Sequence, residues 1–193
     1  MLVVNKPSTV YVQFADVMPR FFLVRNANED YYFRYLDGKT PRIKFNIPDA
    51  GSYETNVPVN VVKIVPIEIP EHGPVLPKPD RDRWKDITMV YNPDMDNVTT
   101  TPIRIYTATG VIEYGKRFLS FIGPIQKFLI EHEKGHFFYS KEEDCDFYAL
   151  VNFVRMGYNQ STGLYSLSHI LKRSPQAVQR VKSLLNNIQK IRE

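Results

Sequence analysis

Along the first third of the chain, apolar and polar residues alternate with a period of two. The alternating segments are Thr9 to Phe14, Arg20 to Arg25, Tyr31 to Tyr35, Arg42 to Ile47 and Val57 to Val65. All are rich in β-branched and aromatic side chains, which suit a pleated, half-buried surface. Turn-forming residues separate them at Asn26-Ala27-Asn28, Asp37-Gly38 and Asp49-Ala50-Gly51. Short strands at this spacing predict a small antiparallel sandwich or barrel.

The pattern then changes twice. From Ile67 to Arg83 the chain reads IEIPEHGPVLPKPDRDR, and Pro70, Pro74, Pro77 and Pro79 withhold backbone donors and favour extended conformations. This stretch reads as a linker, with His72 expected in solvent. Beyond it, Ile87 to Tyr91 and Ile103 to Tyr106 read as strands, Thr107 to Gly110 as a turn and Val111 to Phe118 as a returning strand. At Gly123-Pro124 the apolar period becomes helical, because proline suits a first helical turn, and Gln126 to Tyr139 carries the pattern. A second helix is expected from Ser140 to about Met156. Ser140 and Glu143 form a capping-box pattern at its start, and Gly157 suits its end. A short helix over Leu164 to Lys172 and a longer one from Gln176 to Ile191, opened by Ser174-Pro175, complete an α+β chain. Its expected parts are a β-sandwich-like module at 1–67, a linker at 68–83 and a mixed domain at 84–193.

The run Asp49-Ala50-Gly51-Ser52-Tyr53 resembles the D-x-G-x-Y stretch at the tyrosine corner of immunoglobulin-like sandwiches, where the phenol bonds back to upstream backbone. A glycine turn leading into an aromatic strand would look the same, so the expectation stays at a sandwich-like module.

Composition narrows the partners. Hydrophobic residues at 43% and charged residues at 24% of a 193-residue chain are those of an ordinary globular protein. The net charge of +4 has one local excess, from Arg173 to Lys190, without a nucleic-acid motif, so no nucleic-acid partner is expected. A single cysteine, Cys145, excludes an intrachain disulfide and reads as a small buried hydrophobe. There is no signal-type h-region and no run of about 18 apolar residues, so a cytoplasmic protein without membrane contact is expected.

One segment carries chemistry. His132-Glu133-Lys134-Gly135-His136 is an H-E-x-x-H motif on a predicted helix, where four residues are about one turn and both imidazoles project from one face. Such a pair can share one zinc ion, with Glu133 beside it. Glu142 and Asp146 follow at i, i+4 on the next predicted helix. Together these residues resemble the gluzincin metallopeptidases, most closely the compact ImmA/IrrE type, over residues 110 to 150. The resemblance implies Glu142 as the third zinc ligand, with Glu143 or Asp144 as alternatives should the helix start shift. It implies Asp146 supporting a ligating histidine from behind, and Glu133 as the general base of peptide hydrolysis.

Cys145 stands where the family usually has alanine. Val111, Ile112, Glu113 and Tyr114 occupy the place of the edge strand that pairs with an extended peptide or protein substrate. A hydrogen-bond donor for the scissile carbonyl is also required, and Tyr139, Tyr158 and His169 are the candidates. The N-terminal module would dock substrate or assembly partners. The alternative is a structural component of a large assembly such as a phage virion, keeping the fold with structural or no metal.

Overall fold

The computed structural model describes residues 1–15, 19–26, 30–67, 76–81, 84–97, 101–171 and 175–191. Seven strands make the N-terminal module: β1 (Leu2–Val4), β2 (Ser8–Phe14), β3 (Phe21–Arg25), β4 (Asp30–Tyr35), β5 (Arg42–Ile47), β6 (Gly51–Thr55) and β7 (Val59–Pro66). They form two antiparallel sheets, ordered β1-β6-β3-β4 and β5-β2-β7. The period-two pattern is the cause. Val10, Val12 and Phe14 of β2 and Ile43, Phe45 and Ile47 of β5 are buried, whereas Tyr11 and Lys44 between them face out.

Aromatic rings fill the space between the sheets. Tyr32 stacks on Phe45 at 5.0 Å between ring centres, and Phe22 meets Tyr32 edge-on at 6.2 Å. The two readings of the Asp49 to Tyr53 run, left open by the sequence, part here: the fully buried Tyr53 donates its hydroxyl back to the Asp49 carbonyl at 2.8 Å, as in a tyrosine corner. Strand β1 was not expected, since three residues are too few to show alternation.

A third, mixed sheet contains β8 (Thr88–Tyr91), β9 (Ile103–Tyr106) and β10 (Val111–Tyr114), ordered β8-β10-β9. This corrects the expected edge strand. Val111, Ile112, Glu113 and Tyr114 lie in the middle, parallel to β8 on one side and antiparallel to β9 on the other. The edges are β8 and β9, and β9 is the one that lines the cleft beside the helices. The strand also stops short of Phe118. The backbone N–H of Lys116 is taken by the Asp96 carboxylate at 2.8 Å, which starts the short helix α1 (Lys116–Leu119).

Four longer helices follow: α2 (Gly123–Gly135), α3 (Glu142–Arg155), α4 (Gln160–Leu171) and α5 (Pro175–Ile191). Helix α2 lies against α3 so closely that a Cβ on Gly135 would sit 2.9 Å from the Cys145 Cα. The expected capping box does not form. Helix α3 is capped by Lys141, because both the amide and the hydroxyl of Ser140 are donated to Asp80. Helix α4 begins four residues before its apolar pattern, where the Asn159 carbonyl accepts the Thr162 and Gly163 amides. Among the described residues no helix is long and apolar enough to cross a membrane.

The described end of the proline-rich stretch is a strap. Phe138 accepts the amides of Asp80 and Arg81, Tyr139 donates its hydroxyl to the Pro77 carbonyl at 3.0 Å, and Trp84 stacks on Phe138. Residues 76–81 thus brace the turn between α2 and α3. His72 and Ser174 lie outside the described residues. The module and the helices are joined by Asn159, whose side-chain amide accepts the Asn46 amide at 2.8 Å and donates to the Asn46 carbonyl at 3.0 Å.

Candidate metal centre

Helix α2 ends at Gly135, yet His136 keeps helical backbone angles at the C-cap, so the two imidazoles remain one turn apart. Their ring centres are 5.1 Å apart, and one donor atom each of His132, Glu133 and His136 lies within 4.8 Å of the other two. The first residue of α3 completes the group. His132 Nε2 is 3.3 Å from one Glu142 oxygen and His136 Nε2 is 3.7 Å from the other.

Behind the imidazoles, consecutive residues of α3 reach one ring each. Nδ1 of His132 lies 2.8 Å from Asp146 Oδ1, off the axis of an aligned ring N–H bond, and Nδ1 of His136 lies 3.4 Å from Cys145 Sγ. A carboxylate behind a histidine orients the ring and turns its other nitrogen toward a metal. His132, His136 and Glu142 together offer nitrogen and oxygen donors that could hold a divalent cation.

Sequence reasoning missed Arg180. Its guanidinium, reaching in from α5, forms two parallel hydrogen bonds of 2.7 Å with Asp146 and a contact of 3.0 Å with Glu142. No local spacing links residue 180 to residue 146. The remaining signal was a single arginine in an amphipathic helix already read as solvated.

The electrostatics follow from burial and these partners. Desolvation pushes the Glu133 carboxyl up to about 7, against the pull of His132. For His132, burial opposes the charge, but Asp146 and Glu142 override it and raise the imidazole to about 9. His136 is lowered by burial and by the nearby His132. Glu142 is held well below the usual carboxylate range by His132 foremost, with Arg180 helping. Asp146, completely buried, stays ionised because Arg180 and His132 outweigh desolvation.

These groups open onto a cleft of about 620 Å³, walled on the opposite side by Ile103, Arg104 and Ile105 of β9. The phase of the hairpin sets what β9 presents. Gly115 donates to the Pro102 carbonyl, so the narrow hydrogen-bonded pairs are 115/102, 113/104 and 111/106. Ile105 consequently turns its amide outward, toward the cleft, where it favours the charged form of the Glu133 carboxyl. Glu113, expected to face substrate, is instead paired across the sheet with Arg104 at 2.8 Å.

None of the three expected carbonyl donors lines the cleft. Tyr139 is tied to Pro77, Tyr158 stacks on Phe153 at 4.4 Å, and His169 stacks on Tyr165 at a separate pocket. The side-chain donors that do line it include Arg81, Arg104, Gln176 and Arg180. Cys145 is fully buried, as expected, and burial raises its thiol far above the ordinary value.

No family model matches the chain, and neither a curated protein nor a solved structure does. The chemistry of the donor set therefore carries the functional reading.

Proposed function

We propose that this protein is a zinc-dependent metallopeptidase that binds one ion and hydrolyses peptide bonds of a protein or peptide substrate. One observation carries the reading: two imidazoles one helical turn apart converge on the Glu142 carboxylate, with Asp146 behind the first. When bound, zinc supplies a Lewis acid for the scissile carbonyl and lowers the pKa of a water. The residues of the chain do the rest. Glu133, buried beside the imidazoles with its carboxyl near neutrality, is the proton acceptor. Strand β9, with the outward amide of Ile105, offers an extended substrate a backbone to pair with. Arg180 holds Glu142 and Asp146 ionised and in place. The N-terminal module serves docking, and one buried thiol suits a reducing, cytoplasmic setting.

The 3.0 Å contact between Arg180 and Glu142 favours a second reading, since it balances the carboxylate without a metal. In that reading the chain is a scaffold in a large assembly such as a phage virion. Metal analysis of the purified protein, paired with cleavage of an unfolded protein, separates the two. The peptidase should hold one zinc, and Glu133→Gln should keep it while losing about 10²- to 10⁴-fold in turnover. Absence of zinc from the unaltered protein would sink the peptidase. Bound zinc with no activity to lose would favour the scaffold.

A further inference from the structure

The sandwich has one edge that its own core does not finish. Strand β7 is the terminal strand of the sheet β5-β2-β7, and among the described residues no strand lies on its outer side. On β2, the core-facing Val10 and Val12 are completely buried. Their partners across the ladder, Ile64 and Val61, remain 39% and 44% exposed. The opposite sheet does not reach over this strand. A bulge between Tyr11 and Val12 leaves Val62 as an extra residue, 55% exposed on the edge. The Ile67 amide donates to the Pro7 carbonyl, which fixes the ladder phase so that Ile64 points its amide and carbonyl outward.

The outer face of the same sheet is charged with one sign. Lys44, Tyr11 and Lys63 stand in one row across the three strands, and Arg42 belongs to the next row. With Val62 these residues line a shallow groove of about 310 Å³. The three strands contain no aspartate or glutamate.

We propose that β7 docks an extended acidic segment of another protein, added as a fourth strand. Backbone pairing with Ile64 would give the segment its hold, and strand alternation would set its side chains. Residues facing inward would cover Val61 and Ile64. Those facing outward would meet Lys63, with Lys44 and Arg42 behind it. A second copy of this chain is the poorer occupant, because antiparallel pairing of two β7 strands puts both Lys63 side chains on one face and supplies no acidic counter-charge. The site is independent of the metal centre.

A fluorescein-labelled octapeptide of alternating valine and glutamate, compared with its valine-lysine counterpart, tests this by anisotropy and by amide NMR of the full chain. The acidic peptide should shift the amides of β7 and β2. Its affinity should fall with added salt, and it should drop about tenfold in Lys63→Glu, which in turn should prefer the lysine peptide. Ile64→Ser should weaken both peptides, and circular dichroism of each variant verifies its fold. Equal binding of both peptides, amide shifts at β9 instead of β7, or sedimentation showing a dimer through β7 would each overturn the proposal.

Discussion

Around Phe22, Tyr32 and Phe45 the sandwich interior is built from rings, and Ser8 is the one polar residue among the buried side chains described there. Between α2 and α3 the opposite holds. Glu131, His132, Glu133 and Asp146 are all buried within two helices, together with the thiol of Cys145. Apolar burial stabilises a fold by roughly 25 cal/mol per Å² without any partner requirement, whereas each buried charge costs several kcal/mol unless compensated. The first region is built for stability. The second accepts a conditional stability that depends on a few contacts, which is where a functional site is expected.

The widest gap between the two regions should appear on removing Arg180. Arg180→Met leaves the Asp146 carboxylate buried beside His132 without its bidentate partner, and urea unfolding should show a loss of about 3–5 kcal/mol. Adding Asp146→Leu to that variant should recover part of the loss, because the stranded charge is then gone.

A titration separates the regions next. His132 is raised from 6.5 to about 9 in the metal-free protein, so its contribution to stability is complete below pH 6.5 and disappears as pH rises through 9. Zinc binding needs the neutral ring and has the opposite sign. Affinity should rise about tenfold per pH unit between 7 and 9 and level off above. Calorimetry in buffers of different ionisation enthalpy should register about one proton released at pH 7.

A smaller effect is expected behind the second imidazole. Cys145→Ala removes the sulfur from His136 Nδ1, and competition with a chelating dye should show zinc affinity lower by about tenfold. Unchanged affinity would mean that the thiol only fills space. The smallest change belongs to the sandwich. Tyr53→Phe deletes one hydrogen bond to Asp49 and should cost about 1 kcal/mol in thermal unfolding, leaving zinc binding as it was.

What the chain reveals in its sequence divides along the same line. His132 and His136 were legible because helical periodicity converts spacing into direction, and β2 and β5 were legible because alternation does the same for strands; Glu142 and Asp146 were expected only through the resemblance to gluzincins. Contacts between distant segments leave no such trace. Nothing near Val111 says that Thr88 to Tyr91 will pair with it in parallel and make it a middle strand. Nothing near Ser140 says that Asp80 will claim its hydroxyl, and Arg180 finds Asp146 only once α5 is folded over α3. The three mistaken carbonyl donors share that origin, since each was chosen for its chemistry before its packing partner was known.

The amide of Asn159 has a consequence for assembly. A sheet can grow into a polymer only if both of its ends accept a new strand. At the β5 end, Asn159 already holds the amide and carbonyl of Asn46, and a newcomer would have to expel it. The sheet β5-β2-β7 can therefore accept a guest at β7 but cannot pass the offer on. It behaves as a chain terminator.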